Sequence, residues 1–439
     1  MKPRLLSAAL LAFVASPALL AAAAAPALAQ DFAVTNAQVV IGDGSEPVAN
    51  GTVVVRAGQV VAAGAGIAVP AGLRTIDAGG KWVTPGLVAA MTDLGLLDVG
   101  ANGPSNDTSP GTAQFSAALD ASLAINPAAV PIAVNRSGGI TRTGIVPKSG
   151  NSIFGGQGAV IDLGADTSPI TQARAFQFVE LGESGGNLAG GSRIAAHVAL
   201  RNALVEAREL AASPTGARRD DVLLTRADVQ ALIPVVQGRQ PLFVRVERAA
   251  DIRQVLALKS EFPALRLTIV GADEGWLAAR ELAAAGVPVI ASPLSDLPAQ
   301  FESLAATQSN VGRMAAAGVK VAIGNTYDTV MPRNLTQYAG NLVSLTRLPG
   351  ATGLSWGKAF AAISSIPAEI LGVADRVGSL RPGRNADLVI WDGDPLEAGS
   401  APTAVFIDGV EQDMANRQTR LRDRYRTPGE GALPKAYDW

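Results

Sequence analysis

The stretch Val83–Gly95, VTPGLVAAMTDLG, decides how this chain is read. An apolar run enters a Pro85-Gly86 corner, resumes as Leu87-Val88-Ala89-Ala90, and leaves through two positions one residue apart, Met91 and Asp93. Proline presets a turn and glycine frees the backbone after it, so one short strand ends here and a buried one begins. The corner separates two kinds of sequence, one on each side.

Upstream, from Phe32 to Thr84, short runs such as FAVTNAQVVIGDG and GTVVVRAGQVVAAG alternate apolar with small or polar residues and break at glycines, the pattern of β-strands and tight turns. These strands are too few to stand alone. Matching ones appear near the other end, in GSLRPGRNADLVIWDGDPL and PTAVFIDGVEQD, with Ala386–Trp391 and Ala404–Ile407 as apolar strands. Both termini therefore supply one small β-domain, with a large insert between them.

Downstream of the corner the insert alternates buried strands with amphipathic helices. PLFVRVE reads as a strand, AADIRQVLALKSEF as a helix, LRLTIVG as a strand, EGWLAARELAAAG as a helix ending at Gly286, and VPVIAS as a strand. PAQFESLAATQSNVGRMAAAG then reads as one long helix and VKVAIGN as a strand. Such alternation predicts βαβ units and a parallel sheet, and its extent suits a closed (β/α)₈ TIM-type barrel better than an open doubly wound sheet. Arg193–Ala212 reads as a long amphipathic helix, and FGGQGAVIDLG, which lacks the Lys-Ser/Thr of a phosphate loop, as a tight turn before a strand. The polar stretch GANGPSNDTSPGTAQ, residues 100–114, is either an active-site loop at the C-terminal end of the first barrel strand or a surface loop. The expected fold class is thus α/β, a (β/α)₈ barrel over 85–370 with a composite β-sandwich from 30–84 and 371–415. A tail over 416–439 carries five arginines between 417 and 426, read as a solvated or subunit-contacting helix.

Composition bounds the function. With 439 residues, 48% hydrophobic and 17% charged, the chain can bury a large core and is not disordered. Lys2 and Arg4, the apolar run to about Leu20 and Ala27-Leu28-Ala29 read as a secretory signal peptide over 1–29, cut after Ala29, which predicts a periplasmic or secreted protein. Taking Lys2 and Arg4 from the 36 basic side chains leaves 34 against 38 acidic, a formal charge of −4. No basic field exists to hold nucleic acid or a membrane surface. The absence of cysteine excludes disulfides, thiolate catalysis and Cys-ligated metal.

GGKWVTPGLV, FVRVERAADIRQVLAL, LTIVGADEGWLAARELAAAGVPVI, VKVAIGN and above all GSLRPGRNADLVIWDGDPL resemble the amidohydrolase superfamily, in its exported imidazolonepropionase-like branch, over nearly all of the mature chain. The resemblance implies hydrolysis of C–N bonds in amides, lactams or dipeptides, with zinc or another divalent metal polarising the carbonyl and activating water. It also implies ligands: His-x-His after the first strand, a Lys or Glu further on, a His on each of the fifth and sixth strands, and an Asp after the eighth. Carried onto this sequence, those positions hold Met91 and Asp93 (flanking Thr92), Arg245, Gly271 (or Val270 in the neighbouring register) and Thr326.

A thioether and an obligate cation cannot replace imidazoles, and a guanidinium repels a divalent ion. No cofactor is therefore expected at a zinc-type site. Glu247, Asp273, Glu274 and Asp328 are nearby acids that could rebuild a calcium- or magnesium-type site with Asp93, whereas Arg245 could instead pair with Asp93 or another acid and fill the space. The single histidine, His197, falls mid-helix and reads as a packing or surface residue. No Gly-x-Ser-x-Gly elbow is present. Two readings stay open: a non-catalytic barrel that binds a small amide or peptide-like ligand or assembles with itself or an active paralogue, and a C–N hydrolase using carboxylates or a weakly held metal.

Overall fold

The computed structural model describes residues 29–100, 102–214, 222–293, 295–324 and 331–426. Strands β1 (Phe32–Val39), β2 (Val48–Arg56), β3 (Gln59–Gly64), β4 (Arg74–Asp77) and β5 (Trp82–Pro85) precede the barrel. The barrel strands are β6 (Leu87–Thr92), β7 (Ile140–Ile145), β8 (Phe154–Asp162), β9 (Ile170–Glu180), β10 (Leu242–Val246), β11 (Leu267–Gly271), β12 (Val289–Ala291) and β13 (Val321–Ile323). The chain then returns through β14 (Leu388–Trp391), β15 (Pro402–Ile407) and β16 (Val410–Glu411).

The first and last groups form one sheet, in the order β16-β15-β14-β5-β1-β2-β3 with β4 also on β1. The Pro85-Gly86 corner explains why both ends are needed. β5 pairs with β14 from the far end of the sequence, Leu388 opposite Pro85 and Trp391 opposite Trp82. The expected sandwich is a single sheet curled over itself, so that the Phe32 and Phe406 rings meet at 4.7 Å.

Strands β6 to β13 make the second sheet, in sequence order around the barrel. Its interior is filled by Val88, Val160, Phe178, Val270 and Ile290, with Phe176 and Phe243 stacked at 4.2 Å. Seven strands are parallel, as the βαβ pattern predicts, but β8 runs antiparallel to both β7 and β9. FGGQGAVIDLG is thus a strand and not a turn before one. Its glycines admit large neighbours: a Cβ on Gly158 would lie 2.1 Å from Phe176, and one on Gly155 would lie 2.8 Å from Phe178. The glycine signal marked close packing of strand on strand.

Helices fall largely where their periodicity places them. Arg193–Ala212 and Ala249–Glu261 are helical, and Ala279–Ala285 ends on Gly286 at φ +61°. The long helix read over PAQFESLAATQSNVGRMAAAG is only Asn310–Ala316. The residues before it are drawn into a loop whose backbone and acids bond to the barrel mouth, as described below. Helix Arg417–Arg426 buries none of its side chains.

Barrel and β-domain are tied at a buried cation. Arg142 on β7, 3% exposed, donates to Asp387 at 2.7 and 3.0 Å and to Asp408 at 2.6 Å, with Asp162 at 3.6 Å. Burial pushes the Asp162 carboxyl up to about 6, only partly offset by Arg142.

Candidate functional site

In barrels of this kind the chemistry sits at the C-terminal ends of the strands. There β6 delivers Met91, Thr92 and Asp93. Met91 is 8% exposed and belongs to the apolar cluster filling the barrel. Thr92 turns the other way and its hydroxyl shares a hydrogen bond with that of Thr143 at 2.8 Å. Asp93, just past the strand, is 1% exposed, and its Oδ2 is 3.1 Å from Nζ of Lys148.

On the opposite side, β10 carries Arg245 in register with Glu180 of β9 and Val270 of β11. Its guanidinium lies 3.3 Å from Glu180 Oε1 and 3.4 Å from Glu247 Oε1. Arg245 thus pairs with neighbouring acids, but with Glu180 and Glu247, while Asp93 takes Lys148.

Gly271 explains where Glu247 goes. It has φ +92°, and a Cβ built on it would lie 2.3 Å from both Glu247 carboxylate oxygens. The Glu247 carboxylate therefore fills the space that a side chain at 271 would occupy, receiving the Asp273 N–H at 3.2 Å. Val270, the alternative register, packs into the barrel interior. Beside it Ala272 holds φ +54°, a conformation that costs an L-residue energy and that recurs at functional sites.

Burial raises the Glu247 carboxyl to about 7, the nearby Asp273 charge adds to this, and Arg245 opposes it. Burial also raises Asp273, with Arg245 again opposing. Glu274 is spent structurally, accepting from Ala249 N–H and Ala305 N–H, each at 3.1 Å. Glu302 accepts from Glu183 N–H at 2.7 Å and from Arg193 at 3.2 Å. These bonds pull the 298–309 segment onto the barrel mouth, which is why it is not helical.

Thr326 and Asp328 lie outside the described residues. His197 is half-buried on helix Arg193–Ala212, and burial lowers its pKa. It takes no part in the cluster. The residues that sequence reading missed are Lys148, Glu180 and Glu302. A signal existed for Glu180, a charged residue closing the buried half of β9, and for Lys148, just beyond the end of β7. Glu302 was hidden inside an apparent helix.

Among the described residues no three His, Cys, Asp or Glu side chains are grouped to hold a metal ion. The donor chemistry argues the same way. A zinc-type centre needs imidazoles or carboxylates converging with an open position. Here the corresponding positions offer a packed thioether, a carboxylate held by an ammonium, a guanidinium, and a glycine whose side-chain space is taken. The described residues at these positions do not fit such a centre.

Residues 265–415 match the family model described as Amidohydrolase family. An amidohydrolase from Thermotoga maritima MSB8 has a similar structure, with TM-score 0.75 and 26% identity, covering 87% of this chain and 99% of its own. An adenosine deaminase from Xanthomonas campestris with bound zinc shares the fold alone, at TM-score 0.50 and 18% identity over 92% of this chain and all of its own. Amidohydrolase tasK of Hapsidospora irregularis is 45% identical over 60 residues, 14% of this chain and 6% of that relative's length. Residues 265–415 are thus similar to the amidohydrolase family, and the fold along most of the chain is similar to that of a solved amidohydrolase.

Proposed function

We propose that this is an exported member of the imidazolonepropionase-like branch in which ion pairs have replaced the metal centre. In this reading it serves as a ligand-binding or partner barrel for amide or peptide-like chemistry. The observation that carries this is Glu247: its carboxylate takes the side-chain space of Gly271 and is paired with Arg245, the residue standing where the fifth-strand imidazole belongs. Fold does not dictate function, so the resemblance supports a shared ancestry for the barrel, and the reading draws on the chemistry of the site.

The test is hydrolysis of a panel of dipeptides, lactams and cyclic ureas by the mature chain with added zinc or manganese. The proposal expects no turnover above a protein-free control. Turnover abolished by Asp93→Ala would overturn it.

A second reading, a C–N hydrolase working through carboxylates, draws on the Glu247 pKa near 7 beside the Asp273 carboxyl, the pattern by which paired acids split into an acid and a base. It expects metal-independent turnover that Glu247→Gln abolishes.

A further inference from the structure

A cavity of about 490 Å³, lined in part by Pro147 beside Lys148, includes none of the cluster residues described above. Its walls include Leu96, Pro110, Phe115, Leu119, Leu123 and Pro147, and most of its surface is apolar. That volume and that lining are those of small-molecule sites, which are mostly apolar with a few placed polar groups. The walls are also wet where packing alone would bury them: Leu123 is 84% exposed and Phe115 47%.

The cavity is built and held. Asp228, 1% exposed, accepts from Ser116 N–H at 2.8 Å and Ala118 N–H at 2.9 Å, so the loop forming one wall is pinned to helix Arg226–Val236. A second tie runs from Lys148 N–H to Thr108 O at 2.7 Å. A pocket fixed before its ligand arrives does not spend binding energy on ordering its walls.

The charges around it are unequal. Asp120 lines the cavity, but its carboxylate already holds Arg174 at 2.7 Å and Ser122. Lys148, next to the lining residue Pro147, is committed to Asp93. Asp107 also lines the cavity, and among the described residues its carboxylate has no hydrogen-bond or ion-pair partner. The uncompensated charge at this cavity is therefore negative.

We propose that this cavity is a second ligand site, separate from the barrel mouth, for a small molecule with an aromatic or aliphatic body and a cationic amine. The body packs against Leu96, Phe115 and Leu123, and the ammonium donates to Asp107. The site stands whether or not the barrel mouth retains chemistry.

Titration calorimetry of the whole mature chain with 2-phenylethylamine, 2-phenylethanol and 3-phenylpropionate tests this. The amine should bind best and the acid worst. Asp107→Asn should weaken the amine about fivefold, the upper range for an exposed ion pair, and leave the alcohol unchanged. Ala118→Trp, which fills the cavity, should abolish binding of both, and Phe115→Ala, a change at a half-exposed wall residue, should weaken both if the larger variant fails to fold. Arg245→Ala, at the barrel mouth, should leave all three affinities as they were. Binding of none of the three, preference for the acid, or amine binding that survives Ala118→Trp in a folded protein would overturn the proposal. Binding lost in Arg245→Ala and kept in Ala118→Trp would place the ligand at the barrel mouth and also overturn it.

Discussion

Adding one carbon at Gly271 probes the packing that excludes a metal-binding side chain there. Gly271→Ala places a Cβ where both Glu247 oxygens now stand, 2.3 Å away, on a backbone at φ +92°. The left-handed backbone costs an L-residue about 1–2 kcal/mol by itself. Moving the carboxylate breaks its bond from Asp273 N–H and its contact with Arg245 in a buried setting, about 1–3 kcal/mol more. The two parts separate in a double-mutant cycle. With Glu247→Ala as background the backbone cost remains and the carboxylate cost vanishes, so the cycle should show a coupling of about 1–3 kcal/mol. Urea unfolding of the wild type, both single variants and the double variant measures it. If Gly271→Ala costs the same in both backgrounds, within about 0.5 kcal/mol, Glu247 does not occupy that space and the reasoning fails.

Other consequences can be checked alongside. Arg142→Met removes the cation shared by Asp387, Asp408 and Asp162 and should cost about 3–5 kcal/mol in urea unfolding, because Asp387 is left buried without its partner. Adding Asp387→Asn should restore part of that loss. The Glu247 carboxyl is raised in the fold from about 4.5 to about 7, so its contribution is fully present below 4.5 and lost as pH rises through 7. The stability difference between wild type and Glu247→Gln should therefore move against the wild type by about 3 kcal/mol between pH 4.5 and 8, and a flat difference would contradict the burial argument. N-terminal sequencing of protein secreted from a host carrying the full chain should begin at Gln30, and an uncut Met1 would remove the export proposal.

What the sequence made legible follows from the range of the forces involved. The strands Leu242–Val246 and Leu267–Gly271 and the helix between them are written in local apolar periodicity, which survives without knowledge of neighbours. The start of β8 reads as a turn because its glycines answer to Phe176 and Phe178 on the next strand, and a glycine that admits a neighbour looks like one that makes a turn. The 298–309 segment has helical composition, yet Ala305 N–H and Glu302 find partners at the barrel mouth, and those tertiary bonds override the local preference. At the site, the positions on β6, β10 and β11 could be named from the strand ends. Their pairing could not. Arg245 reaches Glu180 because β9 lies beside β10 in that register, and Asp93 reaches Lys148 because β7 lies beside β6, facts of sheet order that sequence spacing does not carry.

In the proposed reading, ion pairs have taken the place of the metal centre. Its most direct test is elemental mass spectrometry of the purified mature chain after dialysis against excess zinc, manganese and calcium. The account predicts no metal above a protein-free control, in the wild type and in Asp93→Ala alike. Near-stoichiometric metal in the wild type, lost in Asp93→Ala, would contradict it.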